Sequence, residues 1–417
     1  MGALIAEPLY LLADTAVVGH LGTLPLGGLA VASAALLLIY GLCFFLAYGT
    51  TATVARFTGA GEPLKAANQA IQSLWLAFFL GVLIAFIGYF AADPLLKLLG
   101  ASGELLNQAR IYLRISMFGA PAMLIMLAGV GYLRGIKDTI RPLWVAIGTA
   151  LLNLGIELIL IYGFDKGIGA SAAATVISQW IGALIYLIWI WQAISKYKVS
   201  LTPKFLVLMK LLRSSSELLI RNLSLTTSFI VATSMAARLG NVEVAAHEVG
   251  FQAWFFLAMS MDAIAIAAQA MIGNLLGAGR AQEARRIGQR AIVWSTGIGA
   301  FTGSFLAIIH TPFAKIFSED TAVIELASFL LLHVAAMAPL SGVAFALDGI
   351  LIGAGDQRFL AKSMTLSAII SIPLMFVTVA AGLGLGWIWG SIWILMAVRS
   401  ITLYIRFRSD KWQKVGN

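Results

Sequence analysis

The sequence repeats a pattern of glycine, proline and aspartate residues in one fixed register. The same residues recur 218 positions apart in four places: Gly22 and Gly240, the Gly-Ala-Gly segments that end at Gly61 and Gly279, Pro121 and Pro339, and Asp138 and Asp356. A register held over more than a hundred residues predicts two copies of one structural unit. We expect an N-terminal lobe over residues 1–200 and a C-terminal lobe over residues 201–417, with a linker near residues 195–215.

The composition predicts that both copies lie in a membrane. Hydrophobic residues make up 60% of the 417 residues, charged residues only 11%, and the mean hydropathy is +0.92. Soluble domains carry about 25% charged residues, so a large soluble helical protein is a poor alternative. A helix that crosses a bilayer needs about 20 mostly apolar residues. Twelve such segments are predicted, near residues 2–19, 26–56, 71–91, 109–133, 143–163, 168–194, 212–238, 244–275, 288–309, 323–353, 362–384 and 386–407.

The basic residues predict the orientation of these spans. Lysine and arginine cluster in the connections after even-numbered spans and in the C-terminal tail. By the positive-inside rule, both termini and the linker are cytoplasmic in a multi-pass protein of the plasma membrane. Six spans per copy make the repeat parallel, an arrangement typical of some secondary transporters. Orientation accounts for the net charge of +9, so nucleic-acid binding is not expected. The N-terminus shows no basic region or cleavage site, and no signal peptide is predicted.

Acidic residues inside the predicted spans are the first functional candidates. They are Glu7 and Asp14 in span 1, Glu157 in span 5, Asp262 in span 8 and Asp348 in span 10. An aspartate at mid-membrane costs about 2.5–3.5 kcal/mol on insertion scales, so such residues are functional hypotheses by default. A carboxyl without a partner in a low dielectric favours its protonated form, as a proton-coupled carrier requires. The alternative for each residue is a neutral carboxyl that only bonds neighbouring helices.

Span 1 combines an acidic residue with a point where the helix can bend. Asp14 lies about two-thirds of the way along it, and Glu7 lies two turns earlier on nearly the same face. Pro8 lacks a backbone N–H, so the helix can bend there. Protonation of Asp14 would then select between two shapes of this helix. The alternative is that Pro8 is an ordinary proline of the first turn.

Spans 5 and 6 add polar residues that can meet in the first lobe. Asn153 and Glu157 are four residues apart and therefore share one face of span 5. Ser171 and Thr175 lie early in span 6. Because lipid offers no hydrogen-bond partners, polar side chains of neighbouring spans seek one another. We expect Asp14, Asn153, Glu157 and Thr175 to form one buried network.

These segments, in their order and spacing, carry a family resemblance along essentially the whole chain. They are Asp14–Gly22, the loop that ends at Gly61, Leu133–Asp138, Asn153 with Glu157, and Asp348–Ala354. Together they resemble the multidrug and toxic compound extrusion (MATE) transporters, in particular the DinF-like branch. The resemblance implies an all-α integral membrane fold with twelve transmembrane helices in two six-helix bundles that face each other in a V shape.

The same resemblance implies export of organic, often cationic or amphipathic, compounds in exchange for H⁺ or Na⁺. It implies a proton site at Asp14 that is linked to Asn153, Thr175 and Glu157, although the family usually has aspartate at the last position. The sodium-binding pattern of the other branch is not matched cleanly, which favours H⁺. Asp262 and Asp348 keep Na⁺ coupling open as an alternative.

Other carriers and enzymes are weaker alternatives. A lipid-linked oligosaccharide flippase of the same superfamily would have fourteen spans and more charged cavity residues. A major-facilitator transporter would have a characteristic basic loop after span 2, and a membrane enzyme would have clustered catalytic residues at one interface. The single Cys43 and the four scattered histidines predict no metal site. We therefore expect no enzymatic activity and no cofactor, with small organic substrates and the lipid bilayer as partners of a monomer.

Overall fold

The computed structural model describes residues 17–164 and 167–416. Helices make up most of this part of the chain. The chain forms two compact units, Met1–Ser215 and Ser216–Asn417.

The helices of the first unit follow one another with short connections. They are α1 (Thr23–Cys43), α2 (Phe45–Gly59), α3 (Pro63–Phe90), the short α4 (Ala92–Leu98), α5 (Gly103–Met117), α6 (Ala120–Gly135), α7 (Ile140–Leu158), which continues as a π-helical turn over Ile159–Gly163, and α8 (Ile168–Ile194).

The helices of the second unit are longer on average. They are α9 (Phe205–Leu239), which begins before the boundary between the units, α10 (Asn241–Gly277), α11 (Ala281–Phe317), α12 (Thr321–Gly353), α13 (Gln357–Ala380) and α14 (Leu385–Arg408). Each of these helices contains a segment long and apolar enough to cross a membrane.

The described residues contain ten helical segments that can span a membrane, or eleven if α5 and α6 are counted as one bent span. These eleven agree in position with predicted spans 2 to 12. Predicted span 1, residues 2–19, lies almost wholly outside the described residues. Span 4, expected as one continuous helix over 109–133, is instead broken, because α5 and α6 meet at an angle of 52°. Gly119 and Pro121 lie at this break, where proline is tolerated at the start of a new helix.

Repeated glycines make the same contact in both units. In α6, a Cβ on Gly131 would lie 2.8 Å from the Ala47 carbonyl oxygen of α2. In α12, a Cβ on Gly349 would meet the carbonyl oxygen of Ala265 in α10, and both residues lie 218 positions after the first pair. The absence of a side chain lets the two main chains approach closely. The sequence repeat therefore corresponds to one helix packing pattern that is used twice.

The loops that follow α2 and α10 are also alike. Gly61 and Gly279 have positive φ angles of 71° and 75°, a conformation that glycine adopts readily. The amides of Glu62 and Arg280 donate to carbonyl groups of the preceding helix, at 2.9 and 2.8 Å. These bonds satisfy carbonyls at the helix ends. Both Gly-Ala-Gly segments therefore form tight turns after a helix.

Candidate functional site

The first predicted site residues lie outside the described part of the chain. Glu7, Pro8 and Asp14 fall within residues 1–16, so their roles remain predictions. The described chain begins at Val17, three residues after Asp14. Val17 packs in a small apolar cluster with Ile161, at the end of α7, and Ala170, at the start of α8.

The structure brings Asn153 and Thr175 together across the contact of α7 and α8. The Asn153 Nδ2 atom donates to the Thr175 Oγ1 atom at 2.9 Å. The Thr175 hydroxyl donates in turn to the Ser171 carbonyl oxygen, one turn earlier in α8, at 3.1 Å. Asn153 is only 2% exposed, so this amide–hydroxyl contact is shielded from solvent. Such a contact orders the two helices because no bulk water competes for the polar groups.

Glu157 lies one turn after Asn153 on the same face of α7, as the spacing predicts. Its side chain is completely buried, with an exposed fraction of 0%. It comes just before the π-helical turn Ile159–Gly163, which contains Ile161 of the apolar cluster around Val17. The first unit thus holds a carboxyl group, an amide and a hydroxyl within two turns of α7 and the facing part of α8.

In the second unit, Asp348 has two partners that the sequence reasoning missed. Its carboxylate accepts hydrogen bonds from Arg221 of α9 and Arg399 of α14. The exposed fractions of the Asp348 and Arg399 side chains are 4% and 1%, so the ion pair is buried. The Arg399 guanidinium group also lies over the Phe345 ring, 5.1 Å from its centroid. Asp348 is therefore a paired carboxylate in this structure.

A signal for these partners was present in the sequence. Arg221 and Arg399 lie inside predicted spans 7 and 12, where a cation is as costly as an acid and needs a counter-ion. The positive-inside argument considers only the basic residues of the connections, so it does not include Arg221 and Arg399. Asp262 of α10 is half-buried and interacts electrostatically with Arg399. The second unit thus contains a cluster of two arginines and two aspartates.

The two loop aspartates at equivalent positions have different partners. The Asp138 carboxylate accepts hydrogen bonds from the amides of Ile140 and Arg141 at 3.2 and 3.1 Å, and so caps the start of α7. Asp356 instead pairs with Arg406 of α14, with an Arg406 Nε to Asp356 Oδ2 distance of 2.6 Å. Asp138 thus caps the start of a helix, whereas Asp356 pairs with a basic residue of another helix. In the described ranges, no three or more His, Cys, Asp or Glu side chains are arranged to hold a metal ion.

Two repeated units of apolar helices long enough to cross a membrane, each with polar or charged groups buried in its helices, are typical of membrane transport proteins. Comparisons with known proteins agree. A family model described as MatE matches residues 1–159 and 218–377. The chain is 32% identical to the Arabidopsis thaliana protein DETOXIFICATION 44, chloroplastic, over 96% of this chain and 78% of that protein. It is 30% identical to the DNA damage-inducible protein F (DinF) of Escherichia coli (strain K12), over 96% of this chain and 88% of that protein.

The fold is also that of solved MATE structures. A crystal structure of a mutant of the Vibrio cholerae MATE transporter VcmN matches with a TM-score of 0.90 and 22% identity, over 99% of this chain and 95% of that chain. A structure of a transporter of the MOP superfamily from Pyrococcus furiosus matches with a TM-score of 0.88 and 23% identity, over 98% of this chain and 93% of that chain.

The chain belongs to the MATE family of multidrug and toxic compound efflux transporters. Family membership confirms the predicted resemblance, including its DinF-like character, and the all-α membrane fold. It also confirms that the protein is a transporter of small compounds and not an enzyme.

Proposed function

We propose that the protein is a secondary active antiporter that exports organic, often cationic or amphipathic, compounds in exchange for protons. It would act as a monomer in the plasma membrane, with both termini in the cytoplasm, by alternating access. Membership of the MATE family supports efflux of small compounds. The name of a relative, DETOXIFICATION 44, supports an organic cargo.

The observation that carries proton coupling is the buried polar group of the first unit. Glu157 is completely buried one turn from Asn153, whose amide donates to Thr175. Val17 packs beside the end of α7 and the start of α8, so the chain that follows Asp14 reaches this region. A carboxyl in such a position can exchange a proton when the local hydrogen bonding changes. The proposal assigns proton exchange to Asp14 and Glu157, with Asn153 and Thr175 as the hydrogen-bonding groups that respond to it.

Coupling requires that substrate and proton favour opposite states of the transporter. With Asp14 ionised, the first lobe would hold a cationic substrate. Protonation from outside would neutralise this carboxyl, bend span 1 near Pro8 and release the substrate. A ligand with equal affinity for both states would shift nothing, so the difference in affinity between the states drives transport.

The charges of the second unit favour H⁺ over Na⁺ as the coupling ion. Asp348, a candidate sodium ligand, already has two arginine partners. A sodium ion at this carboxylate would have to displace a buried guanidinium group or accept its repulsion, and both are unfavourable. Sodium coupling is kept as an outcome of the experiment.

The test uses the purified full chain in proteoliposomes that hold a fluorescent cationic dye. An imposed pH gradient should drive dye transport, and a sodium gradient at constant pH should not. Asp14→Asn and Glu157→Gln should each lower proton-driven transport at least tenfold, because an amide cannot carry the proton. Glu157→Asp, which restores the residue usual in the family, should retain most of the transport.

Glu104→Gln is the matched control for Glu157→Gln. Glu104 belongs to the same unit but is exposed, and its carboxylate accepts hydrogen bonds from the nearby Asn107 and Gln108. This variant should transport like the wild type. Undiminished transport by Asp14→Asn and Glu157→Gln would remove these carboxyl groups from the mechanism. Transport driven by sodium alone would replace H⁺ by Na⁺ in the proposal.

A further inference from the structure

One side of α11 forms a basic surface at the end of the helix that follows the Gly279 turn. Arg286, Gln289, Arg290, Val293 and Trp294 line a shallow open pocket of about 270 Å³. Their spacing of three or four residues places them on one face of the helix. Both arginines are exposed. We call these five residues the basic face of α11.

The positive charge of the basic face is not neutralised by neighbouring acids. At the same end of α11, Arg280 pairs with Glu283, and Arg285 pairs with Asp410 beyond the end of α14. Arg286 and Arg290 form no ion pair with any residue in the described ranges. Two full charges therefore remain available to a ligand on this face.

The basic face continues into a stripe of exposed apolar side chains. Val293 and Trp294 are 70% and 69% exposed. Further along the same helix, Phe301 and Ile308 are 75% and 77% exposed. With a rise of 1.5 Å per residue, Phe301 lies about 16 Å beyond Arg290. A face that is apolar over such a length in a membrane protein contacts lipid tails, so its basic end lies at the level of the lipid headgroups.

The repeat supplies a comparison for this surface, because the equivalent face of α3 is covered. Gln72, the equivalent of Arg290, is completely buried under the segment that leads to α9. Its Nε2 atom donates to the Thr202 carbonyl oxygen at 3.0 Å, and its Oε1 atom accepts from the Lys204 amide at 2.7 Å. The indole of Trp75, the equivalent of Val293, donates to the Leu201 carbonyl oxygen at 2.7 Å.

In the second unit, the described residues that follow α14 take another course, and Asp410 among them pairs with Arg285 of α11. After α14 the chain turns toward the end of α10, where the Gly416 amide donates to the Leu276 carbonyl oxygen at 3.2 Å. Gln72, which bonds the main chain of the covering segment in the first unit, is replaced in the second unit by the exposed Arg290. The surface is thus covered by chain in the first unit, whereas among the described residues of the second unit the equivalent surface is basic and exposed.

We propose that the basic face of α11 binds the phosphate headgroup of an anionic phospholipid. Guanidinium groups of Arg286 and Arg290 donate to phosphate oxygens in a forked geometry. Trp294 lies one turn deeper, where an indole suits the boundary between headgroups and acyl chains. The acyl chains then lie along the exposed apolar stripe of α11. This site is separate from the substrate and proton sites proposed above.

The test measures lipid binding to the full chain by native mass spectrometry. Phosphatidylglycerol and phosphatidylcholine with the same acyl chains are titrated into the detergent-purified protein. Arg286→Gln with Arg290→Gln should weaken the tightest phosphatidylglycerol site about 25-fold, since each basic residue at an anionic surface contributes about a fivefold increase in affinity. Binding of phosphatidylcholine should not change.

The matched control is Arg280→Gln with Arg285→Gln, which removes the same charge from the same end of α11 but from arginines that already have acidic partners. This control should keep the affinity for phosphatidylglycerol within about twofold. Equal losses in the two double variants would reduce the effect to general electrostatics and overturn the proposal. Displacement of the lipid by millimolar inorganic phosphate would assign the face to a soluble anion instead, and would also overturn it.

Discussion

The buried charges of the second unit act at the scale of single residues. Asp348 is the carboxylate that Arg221 and Arg399 share, and all three side chains are at least nine-tenths buried. We predict that Asp348→Asn lowers the free energy of unfolding by about 3–5 kcal/mol, because it leaves two guanidinium groups without their counter-ion. Thermal and denaturant unfolding in detergent would measure the loss.

Asp410→Asn is the matched control for this prediction. It breaks an aspartate–arginine pair with Arg285 in which the two side chains are 45% and 36% exposed. Exposed pairs contribute about 0–1 kcal/mol, so this variant should unfold nearly as the wild type does. An equally small effect of Asp348→Asn would mean that the arginines do not depend on it.

Asp93 gives a second prediction at this scale, on the dependence of stability on pH. The Arg110 Nε atom donates to Asp93 Oδ1 at 2.6 Å, and this hydrogen bond lowers the pKa of the Asp93 carboxyl, with Arg110, Arg114 and Lys97 adding favourable charge interactions. Because the pKa is lower in the folded state, the stabilisation is complete above the unfolded pKa of about 3.9. It is lost as the pH falls through the lower folded pKa.

The difference in melting temperature between the wild type and Asp93→Asn should therefore be constant from about pH 7 to pH 5 and shrink below about pH 4. Arg110→Met should remove most of this pH-dependent difference, since it takes away the main partner. A difference that stays unchanged down to pH 3 would contradict the assigned role of the carboxylate.

Single residues also mark where the sequence was informative and where it was not. The contact of Asn153 with Thr175 follows from helical spacing and from the need of polar groups in lipid for partners, so it was predictable. The partners of Asp348 lie 127 and 51 residues away in the chain. Only the tertiary packing of α9, α12 and α14 brings them together, although the cost of lone arginines in spans 7 and 12 could have suggested the pairing.

At the scale of helices, the glycine contacts that join α12 to α10 are open to a direct test. A Cβ on Gly349 would overlap the main chain of Ala265, which cannot move aside as a flexible side chain can. We predict that Gly349→Ala destabilises the protein by about 1–3 kcal/mol, as overpacking does. The measurement is again unfolding in detergent.

Gly297→Ala in α11 is the control. Apart from the neighbouring backbone of α11 itself, no atom lies within 4 Å of the added Cβ. Alanine is a better helix former than glycine by about 1 kcal/mol, so this variant should be neutral or more stable. Destabilisation of both variants to the same degree would mean that close approach is not what Gly349 provides.

Helix positions were predictable from hydropathy, but their irregularities were not. Spans 2 to 12 lie close to the predicted residues, since 20 apolar residues in succession have few alternatives in a membrane protein. The 52° bend between α5 and α6 interrupts an apolar run that looks continuous. Gly119 and Pro121 mark the place, yet the equivalent Pro339 lies inside the unbroken α12, so the proline alone does not decide.

At the scale of the whole molecule, the repeat and the charge distribution together predict the orientation in the membrane. In a Cys43→Ala background, single cysteines at Ser102 and Glu319 follow odd-numbered spans, whereas those at Lys137 and Lys411 follow even-numbered spans. A membrane-impermeant maleimide applied to intact cells should label the first pair. It should label the second pair only after the membrane is permeabilised.

All four positions are exposed in the structure, so a lack of labelling would not reflect burial within the protein. The reverse pattern would place the termini outside and overturn the positive-inside argument. A mixed pattern within one unit would contradict the span assignment itself.

The glycine contacts of the two units have a consequence for how such a molecule can be altered. Where two main chains are in contact, the packing requires glycine, which has no side chain. Positions away from these contacts can differ between the two units. The first unit contains an amide bonded to a hydroxyl, and the second contains buried opposite charges, although the glycine contacts between their helices are the same. A protein engineer who exchanges polar groups between the halves should therefore keep these glycines, so that the helix packing is retained.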